Sequence, residues 1–91
     1  MLIRSQDKRM IVNFNNICTV SAFPEKDSED IYVEDGTGSL MVGRYSTKAK
    51  AMKVLNMIQK RYEEYETERI YKEGVFKIGT FQMPEDSEVE S

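Results

Sequence analysis

A single amphipathic helix is the strongest structural signal in this sequence of 91 residues. The stretch "STKAKAMKVLNMIQKRYEEYETE" begins at Ser46-Thr47, either of which can cap a helix, and continues in residues of high helix propensity. Its apolar residues recur in alternating steps of four and three, which places them in one stripe. We therefore predict a helix over about residues 47–67 that packs this stripe on a sheet. The stripe comprises Ala51, Val54, Leu55, Ile58, Tyr62 and Tyr65.

The rest of the chain consists of short segments in which apolar and polar residues alternate, the pattern of half-buried strands. Several such segments precede the helix, and another, residues 75–83, follows it. This order predicts an α+β fold: a twisted antiparallel sheet of about five or six short strands, packed on one long helix, with the last strand after the helix. The predicted core comprises Ile3, Ile11 or Val12, Ile17, Val20, Val33, Leu40, Val42, Leu55, Ile58 and Tyr62.

The segment "DGTG", Asp35 to Gly38, has the composition of either a phosphate-binding loop or a turn between strands. A phosphate loop leads into a helix, whereas here the strand-like segment "SLMVGRY" follows. The pair Asp35-Gly36 is typical of hairpin turns, because glycine adopts positive φ without strain, so we predict a turn. The arrangement also resembles a hairpin of OB-fold single-strand-binding domains over about ten residues, but an OB fold has its helix between its third and fourth strands.

Charge is distributed unevenly along the chain. The last residues, "PEDSEVES", contain four acidic residues, and without these the net charge of −3 becomes +1 for residues 1–83. Short acidic ends with few apolar residues are usually disordered. The sequence therefore predicts a single α+β domain over residues 1–84 and an acidic disordered tail over residues 85–91. No apolar segment is long enough for a transmembrane helix, and the start of the chain lacks the pattern of a signal peptide.

The residue types present exclude several classes of active site. The chain has no histidine, so it has no histidine ligand for a metal and no serine–histidine or cysteine–histidine nucleophile. Its single cysteine, Cys18, lies in an apolar strand-like segment and is expected to be a small buried side chain. One unpaired cysteine fits a reducing cytoplasm. We therefore expect a cytoplasmic protein that is not an enzyme, with no catalytic residues, no cofactor and no metal site.

The charges along the predicted helix run against the helix dipole. Lysines crowd its first two turns and glutamates crowd its end, whereas the dipole favours the reverse order. One explanation is that the acidic loop of residues 25–30 lies over the lysines. The other is that two helices pack antiparallel in a homodimer, which matches lysines with glutamates and buries the flanking methionines. The predicted self-association surface comprises Met52, Lys53, Val54, Met57, Lys60, Glu63 and Glu64.

A nucleic-acid-binding module is the alternative function. Basic residues of the first turn and of the helix start form a patch for phosphates if these two regions lie side by side. Surface lysines are common, however, and residues 1–83 are nearly neutral, so a protein partner is favoured over nucleic acid. No membrane partner is expected. The candidate patch comprises Arg4, Lys8, Arg9, Arg44, Lys48, Lys50 and Lys53.

Three stretches together carry a resemblance to known proteins: "LIRSQDKRMIVNFNNI", "VGRYSTKAKAMKVLNMIQKRY" and "FQMPEDSE". They are similar to small uncharacterised proteins of Gram-positive bacteria and their phages and mobile elements, over nearly the whole chain. No activity, cofactor or catalytic residue is established for that group, so the resemblance implies a cytoplasmic accessory protein and transfers no functional residue. The predicted function is a small, phage- or mobile-element-encoded, non-catalytic interaction module that self-associates.

Overall fold

The computed structural model describes residues 1–71 and 79–90 and has the α+β class that the sequence predicts. The described residues form six strands, one long helix and two short 3-10 turns. In chain order these are β1 (Leu2–Arg4), β2 (Ile11–Asn13), the first 3-10 turn (Phe14–Asn16), β3 (Thr19–Pro24), β4 (Glu29–Glu34), β5 (Ser39–Tyr45), α1 (Lys48–Tyr71), β6 (Thr80–Gln82) and the second 3-10 turn (Asp86–Glu88).

The strands form two three-stranded sheets, so the prediction of a single sheet is wrong. In the first sheet β1 lies between β2 and β6, and in the second β4 lies between β3 and β5. The two sheets separate at Asn13, whose side-chain oxygen accepts a hydrogen bond from the Asn15 N–H at 3.0 Å and so starts the first 3-10 turn. The sequence prediction relied on the alternation of apolar and polar residues, and this pattern does not reveal a side-chain hydrogen bond that ends a strand.

The last strand, β6, pairs parallel with β1, whereas the sequence predicted antiparallel pairing. Ile3 lies opposite Phe81 in this pair, and both side chains are buried. The other strand pairs of the described residues are antiparallel. A parallel pair needs a long crossover connection, and the chain between β1 and β6 includes the whole helix. Of the predicted strand 75–83, residues 75–78 lie outside the described residues.

The helix α1 starts one residue later and ends four residues later than the predicted 47–67. Thr47 caps its start, because the Thr47 hydroxyl oxygen accepts a hydrogen bond from the Lys50 N–H at 3.2 Å. The helix continues to Tyr71 through the sequence "ERIY", which contains no glycine or proline to stop it. Ala51, Val54 and Ile58 anchor α1 in the core.

One hydrophobic cluster joins residues of both sheets and the helix. Four of the predicted core residues belong to this cluster, and five more pack against it as partly buried side chains. Tyr45, Tyr65 and Met83 add large side chains that the predicted core did not include. The four confirmed residues are Ile3, Val33, Val42 and Ile58, and the five partly buried ones are Val12, Ile17, Val20, Leu55 and Tyr62.

Leu40 is the clear error in the predicted core, because it is 47% exposed. It lies opposite the buried Val33, but Val33 is on the central strand β4, whereas Leu40 is on β5, which has a neighbouring strand on one side only. Of the two alternatives on β2, Val12 packs against the core and Ile11 is 57% exposed. The first three residues of β5, next to the hairpin turn, are exposed, whereas Val42 and Tyr45 further along the same strand are buried.

Cys18 is exposed, so the prediction that it is a buried side chain is wrong. Strand β3 begins only at Thr19, and Cys18 lies in the connection that follows the first 3-10 turn. The apolar strand-like segment that contains Cys18 begins at Ile17, but Ile17 and Cys18 both lie outside β3. Because Cys18 precedes the strand, the alternation of buried and exposed residues along β3 does not apply to Cys18.

Residues 85–90 fold onto the domain, so the prediction of a disordered tail is wrong for them. In the second 3-10 turn the Glu88 carboxylate accepts a hydrogen bond from the Glu85 N–H at 2.9 Å, which caps the turn. Val89 follows with 7% of its surface exposed and belongs to the core cluster. One well-placed apolar residue and a capped turn order this segment despite its acidic composition.

Candidate interaction surfaces

The "DGTG" segment forms the hairpin turn that the sequence predicts, between β4 and β5. Gly36 has a φ of +93°, as such a turn requires. The Asp35 carboxylate accepts hydrogen bonds from the Thr37 hydroxyl at 2.7 Å, the Thr37 N–H at 2.9 Å and the Gly38 N–H at 3.2 Å. These bonds, chiefly the one from the Thr37 hydroxyl, hold the pKa of Asp35 below its ordinary value. Two backbone donors that a phosphate would need are therefore used within the turn.

Not all residues of the predicted self-association surface on the helix are exposed. Val54 is fully buried in the core, so it is wrong as a surface residue. Met52 and Met57 are 44% and 42% exposed, but five positions along a helix correspond to a rotation of roughly 140°, so they flank the outer face from opposite sides. The face between them is polar and lacks a continuous apolar stripe. Its exposed residues include Lys53, Lys60, Glu63 and Glu64.

Asp86 is the acidic residue that lies against the lysine-rich helix start. Its carboxylate accepts a hydrogen bond from the Ser46 N–H at 2.7 Å and lies 3.3 Å from Lys50 Nζ, which also donates to the Asp86 carbonyl oxygen at 2.9 Å. The Ser46 N–H, followed by Lys50, holds the pKa of Asp86 below its ordinary value. The expectation that the loop of residues 25–30 would compensate these lysines is wrong for its Asp30, which pairs with Arg44.

The pair of Asp30 and Arg44 joins β4 and β5, where the two residues are opposite in register. The guanidinium contacts both carboxylate oxygens at 3.0 Å each, and the Ser28 hydroxyl donates to the carboxylate at 2.9 Å. The Asp30 side chain is fully buried and Arg44 is 62% exposed. The Arg44 hydrogen bonds outweigh burial and lower the pKa of Asp30. Sequence reasoning missed this pair because it assigned Asp30 to a loop, whereas β4 begins at Glu29.

Several basic residues of the candidate nucleic-acid patch already contact other groups of the protein. Arg44 pairs with Asp30 and Lys50 with Asp86, both within 4 Å. Lys53 Nζ donates to the carbonyl oxygen of Glu90 at 2.7 Å. The Arg4 guanidinium also donates to the Lys8 carbonyl oxygen at 3.0 and 3.1 Å, so four of the seven basic residues hold contacts within the protein. For Arg44 and Lys50 the partner is a carboxylate, which offsets the positive charge available to phosphates.

The two edges of the second sheet differ in how they are covered. Gln6 covers the β5 edge: its N–H donates to the Val42 carbonyl at 2.8 Å, and its side-chain amide exchanges two hydrogen bonds, of 2.9 and 3.0 Å, with the Arg44 backbone. The Gln6 side-chain amide thus makes hydrogen bonds that the backbone of a neighbouring strand would otherwise make. Strand β3 forms the other edge, and no strand of the described residues pairs with its outer side. Its sequence, "TVSAFP", contains no charged residue.

Three side chains form an apolar group on the face of the second sheet opposite Val33; we call Phe23, Tyr32 and Met41 the outer patch. The Phe23 and Tyr32 rings meet edge to face with centroids 6.0 Å apart, and Met41 lies opposite Tyr32 in register. Phe23 is 51% and Met41 is 41% exposed. Sequence reasoning missed the outer patch because alternation shows which residues share a face of one strand, but it does not fix the register that groups them.

No feature of the described residues identifies a cofactor or a membrane segment. Among residues 1–71 and 79–90, no three acidic or cysteine side chains converge as they would to hold a metal ion. No helix in this part of the chain is both long and apolar enough to cross a bilayer. No family model matches the chain, and no match was found among curated proteins or solved structures.

Proposed function

We propose that this protein is a small non-catalytic interaction module that forms a homodimer by pairing the β3 strands of two copies. The observation that carries the proposal is the uncharged outer edge of β3, a strand that includes the exposed Phe23 of the outer patch. The proposal moves the self-association surface from the helix to the second sheet. The reason is that the outer face of α1 lacks a continuous apolar stripe, whereas the sheet has an apolar group beside an edge with which no strand of residues 1–71 and 79–90 pairs.

The edge of β3 has few of the features that normally prevent strands from pairing. Exposed sheet edges usually carry lysines, prolines or bulges that block another strand. From Thr19 to Phe23 the strand has no such residue, and Pro24 stands only at its end. Alternate residues of an edge strand direct their N–H and C=O groups away from the sheet, where a further strand can bond to them. The opposite edge, by contrast, is already covered by Gln6.

A second copy of the chain fits this edge. Two β3 strands related by a two-fold axis pair antiparallel, and no charge within "TVSAFP" opposes their approach. The paired sheets form one six-stranded sheet with both outer patches on the same side. Stable dimers bury about 800 Å² per subunit, more than a strand edge supplies, so the outer patch must contribute apolar area at roughly 25 cal/mol per Å².

We also propose that the protein is not an enzyme and that it acts in the cytoplasm as an accessory protein of a Gram-positive bacterium, its phage or a mobile element. The absence of histidine from the sequence and the resemblance described above support this. The lowered pKa values of Asp30, Asp35 and Asp86 have as their main cause hydrogen bonds that hold a strand pair, a turn or a segment in place, so they give no reason to assign these carboxylates a catalytic role.

Sedimentation equilibrium of wild-type and variant proteins tests the dimer. Wild-type protein at roughly 50 µM is expected to sediment as a dimer. Ser21→Lys places like charges near the two-fold axis, and combining it with Phe23→Ser should give a monomer. Met57→Ser is the matched control, because Met57 is exposed to a similar extent but lies on the helix, and this variant should remain a dimer.

Two outcomes contradict the proposal. One is a wild-type protein that stays monomeric at roughly 100 µM. The other is a dimer that is lost with Met57→Ser and retained with the β3 substitutions, which would return the interface to the helix.

A further inference from the structure

The segment Pro84–Glu90 crosses the start of α1 and contacts it through groups of complementary chemistry. The Asp86 carboxylate binds the Ser46 N–H and Lys50 Nζ at 2.7 and 3.3 Å. Three residues later Val89 enters the core cluster, and Lys53 Nζ then binds the carbonyl oxygen of Glu90 at 2.7 Å. The segment therefore contacts the helix start and the core cluster through the Asp86 carboxylate, the Val89 side chain and the Glu90 carbonyl. Apart from one 3-10 turn, the segment is extended.

The surface beneath this segment belongs to a rigid part of the protein. Lys50 and Lys53 project from the first two turns of α1, a helix capped by Thr47 and anchored by the fully buried Ala51 and Val54. Lys50 is only 15% exposed, so its side chain is held in place beside the segment. The two lysines and the Ser46 N–H therefore belong to a part of the domain whose core is formed mainly by residues outside the segment Pro84–Glu90.

Beyond Pro84 the segment is held mainly by polar contacts, and little of it is buried. The Pro84 carbonyl accepts hydrogen bonds from the Tyr45 hydroxyl at 2.7 Å and from the Gln6 amide at 3.2 Å, which fixes the base of the segment. After Pro84, Val89 is its only buried side chain. Segments with few buried apolar contacts open at low free-energy cost while the rest of a domain stays folded.

We propose that the surface formed by Ser46, Lys50, Lys53 and the part of the core cluster against which Val89 packs is a binding site for acidic peptide segments of other proteins, and that the chain's own residues 84–90 occupy it when no partner is bound. The chemistry defines the partner: an aspartate, an aliphatic residue three positions later, and an extended backbone after it. Four acidic residues in the resident segment indicate that negative charge favours binding to the two lysines. This site is independent of the β3 interface.

Binding of a labelled synthetic peptide with the sequence of residues 83–91 tests the proposal by fluorescence anisotropy. The full-length variant Asp86→Ala/Val89→Ser loosens the resident segment and should bind the peptide at least about tenfold more tightly than wild type, because a tethered competitor acts at roughly millimolar effective concentration. Adding Lys50→Glu to this variant should abolish the binding. Lys60→Glu, an exposed change on the same helix, should leave it unchanged.

A second measurement uses wild-type protein alone, so that the test does not depend on a variant that folds. A peptide with a spin label at its end, present at roughly millimolar concentration, should broaden the backbone amide signals of Ser46 and Lys50 and spare that of Lys60. The proposal is overturned if a folded loosened variant binds no better than wild type, if Lys50→Glu has no effect, or if the labelled peptide broadens none of these signals.

Discussion

Asp30 shows how a single buried charge is accommodated in a thin core. Burial alone would raise the pKa of this carboxyl, but the two hydrogen bonds from Arg44 and the one from Ser28 lower it instead. The exposed Arg44 thus covers a carboxylate that has no contact with solvent. Because the ionised form is favoured in the folded state, the pair contributes stability above the unfolded pKa of 3.8 and loses it as the pH falls through the lower folded-state value.

We therefore predict that Asp30→Asn destabilises the protein by about 1–3 kcal/mol at pH 7, because the neutral amide cannot accept the charge-assisted bonds. The difference from wild type should shrink as the pH falls below 3.8. Urea unfolding at a series of pH values measures it. A difference that is the same at pH 7 and at low pH would show that the charge of Asp30 is not the cause.

The hairpin turn gives a second prediction at this scale. Gly36→Val should destabilise by about 1 kcal/mol or more, because Gly36 has a φ of +93°. Gly38→Ala is the control: a methyl group there meets no atom within 4 Å, and its stability should stay close to that of wild type. Thermal unfolding compares the two variants, and equal losses would mean that the backbone conformation of Gly36 does not matter.

At the scale of elements, the sequence predicted the helix well and the strand partners poorly. The stripe from Ala51 to Tyr65 and the Thr47 cap are local signals, so they located α1 to within a few residues. The pairing of β1 with β6 joins residues nearly eighty positions apart, and no local pattern indicates it. The outer patch was missed for the same reason, since it depends on the register between β3, β4 and β5.

Because the segment of residues 85–90 docks on the domain, we predict that its removal destabilises the protein. The sequence alone predicted a disordered tail over residues 85–91, whose removal would leave stability unchanged. A chain that ends at Pro84 should now lose about 1.5–3 kcal/mol, the usual contribution of one buried aliphatic side chain. Its melting temperature should fall by several degrees. Ser87→Ala, a change at an exposed position of the same segment, is the control and should have little effect. An unchanged melting temperature for the shortened chain would contradict the docking of Val89.

At the scale of the whole molecule, two of the basic residues near the helix start and on β5 are paired with carboxylates. Arg44 meets Asp30 and Lys50 meets Asp86, and the net charge is −3. Strong binding to a phosphate backbone needs several unpaired cations on one surface. These two pairs reduce the number of cations that are free to bind phosphates.

We predict weak or no binding to single- or double-stranded DNA, even at low salt. Fluorescence titration with labelled oligonucleotides at low and at physiological salt measures this. Submicromolar affinity that falls steeply with salt and is lost with Lys48→Glu would contradict the prediction, because such behaviour reports phosphate contacts.

Amide hydrogen exchange at two protein concentrations, roughly 5 and 200 µM, tests the β3-paired dimer most directly. The outward-facing amides of β3 should be protected at the higher concentration and should exchange faster at the lower one, because dilution separates the two strands. Amides of β5, whose edge is covered by Gln6 within the same chain, should not change. If the outward-facing β3 amides exchange rapidly at both concentrations, or if protection that depends on concentration appears in α1 instead, the β3 interface does not exist.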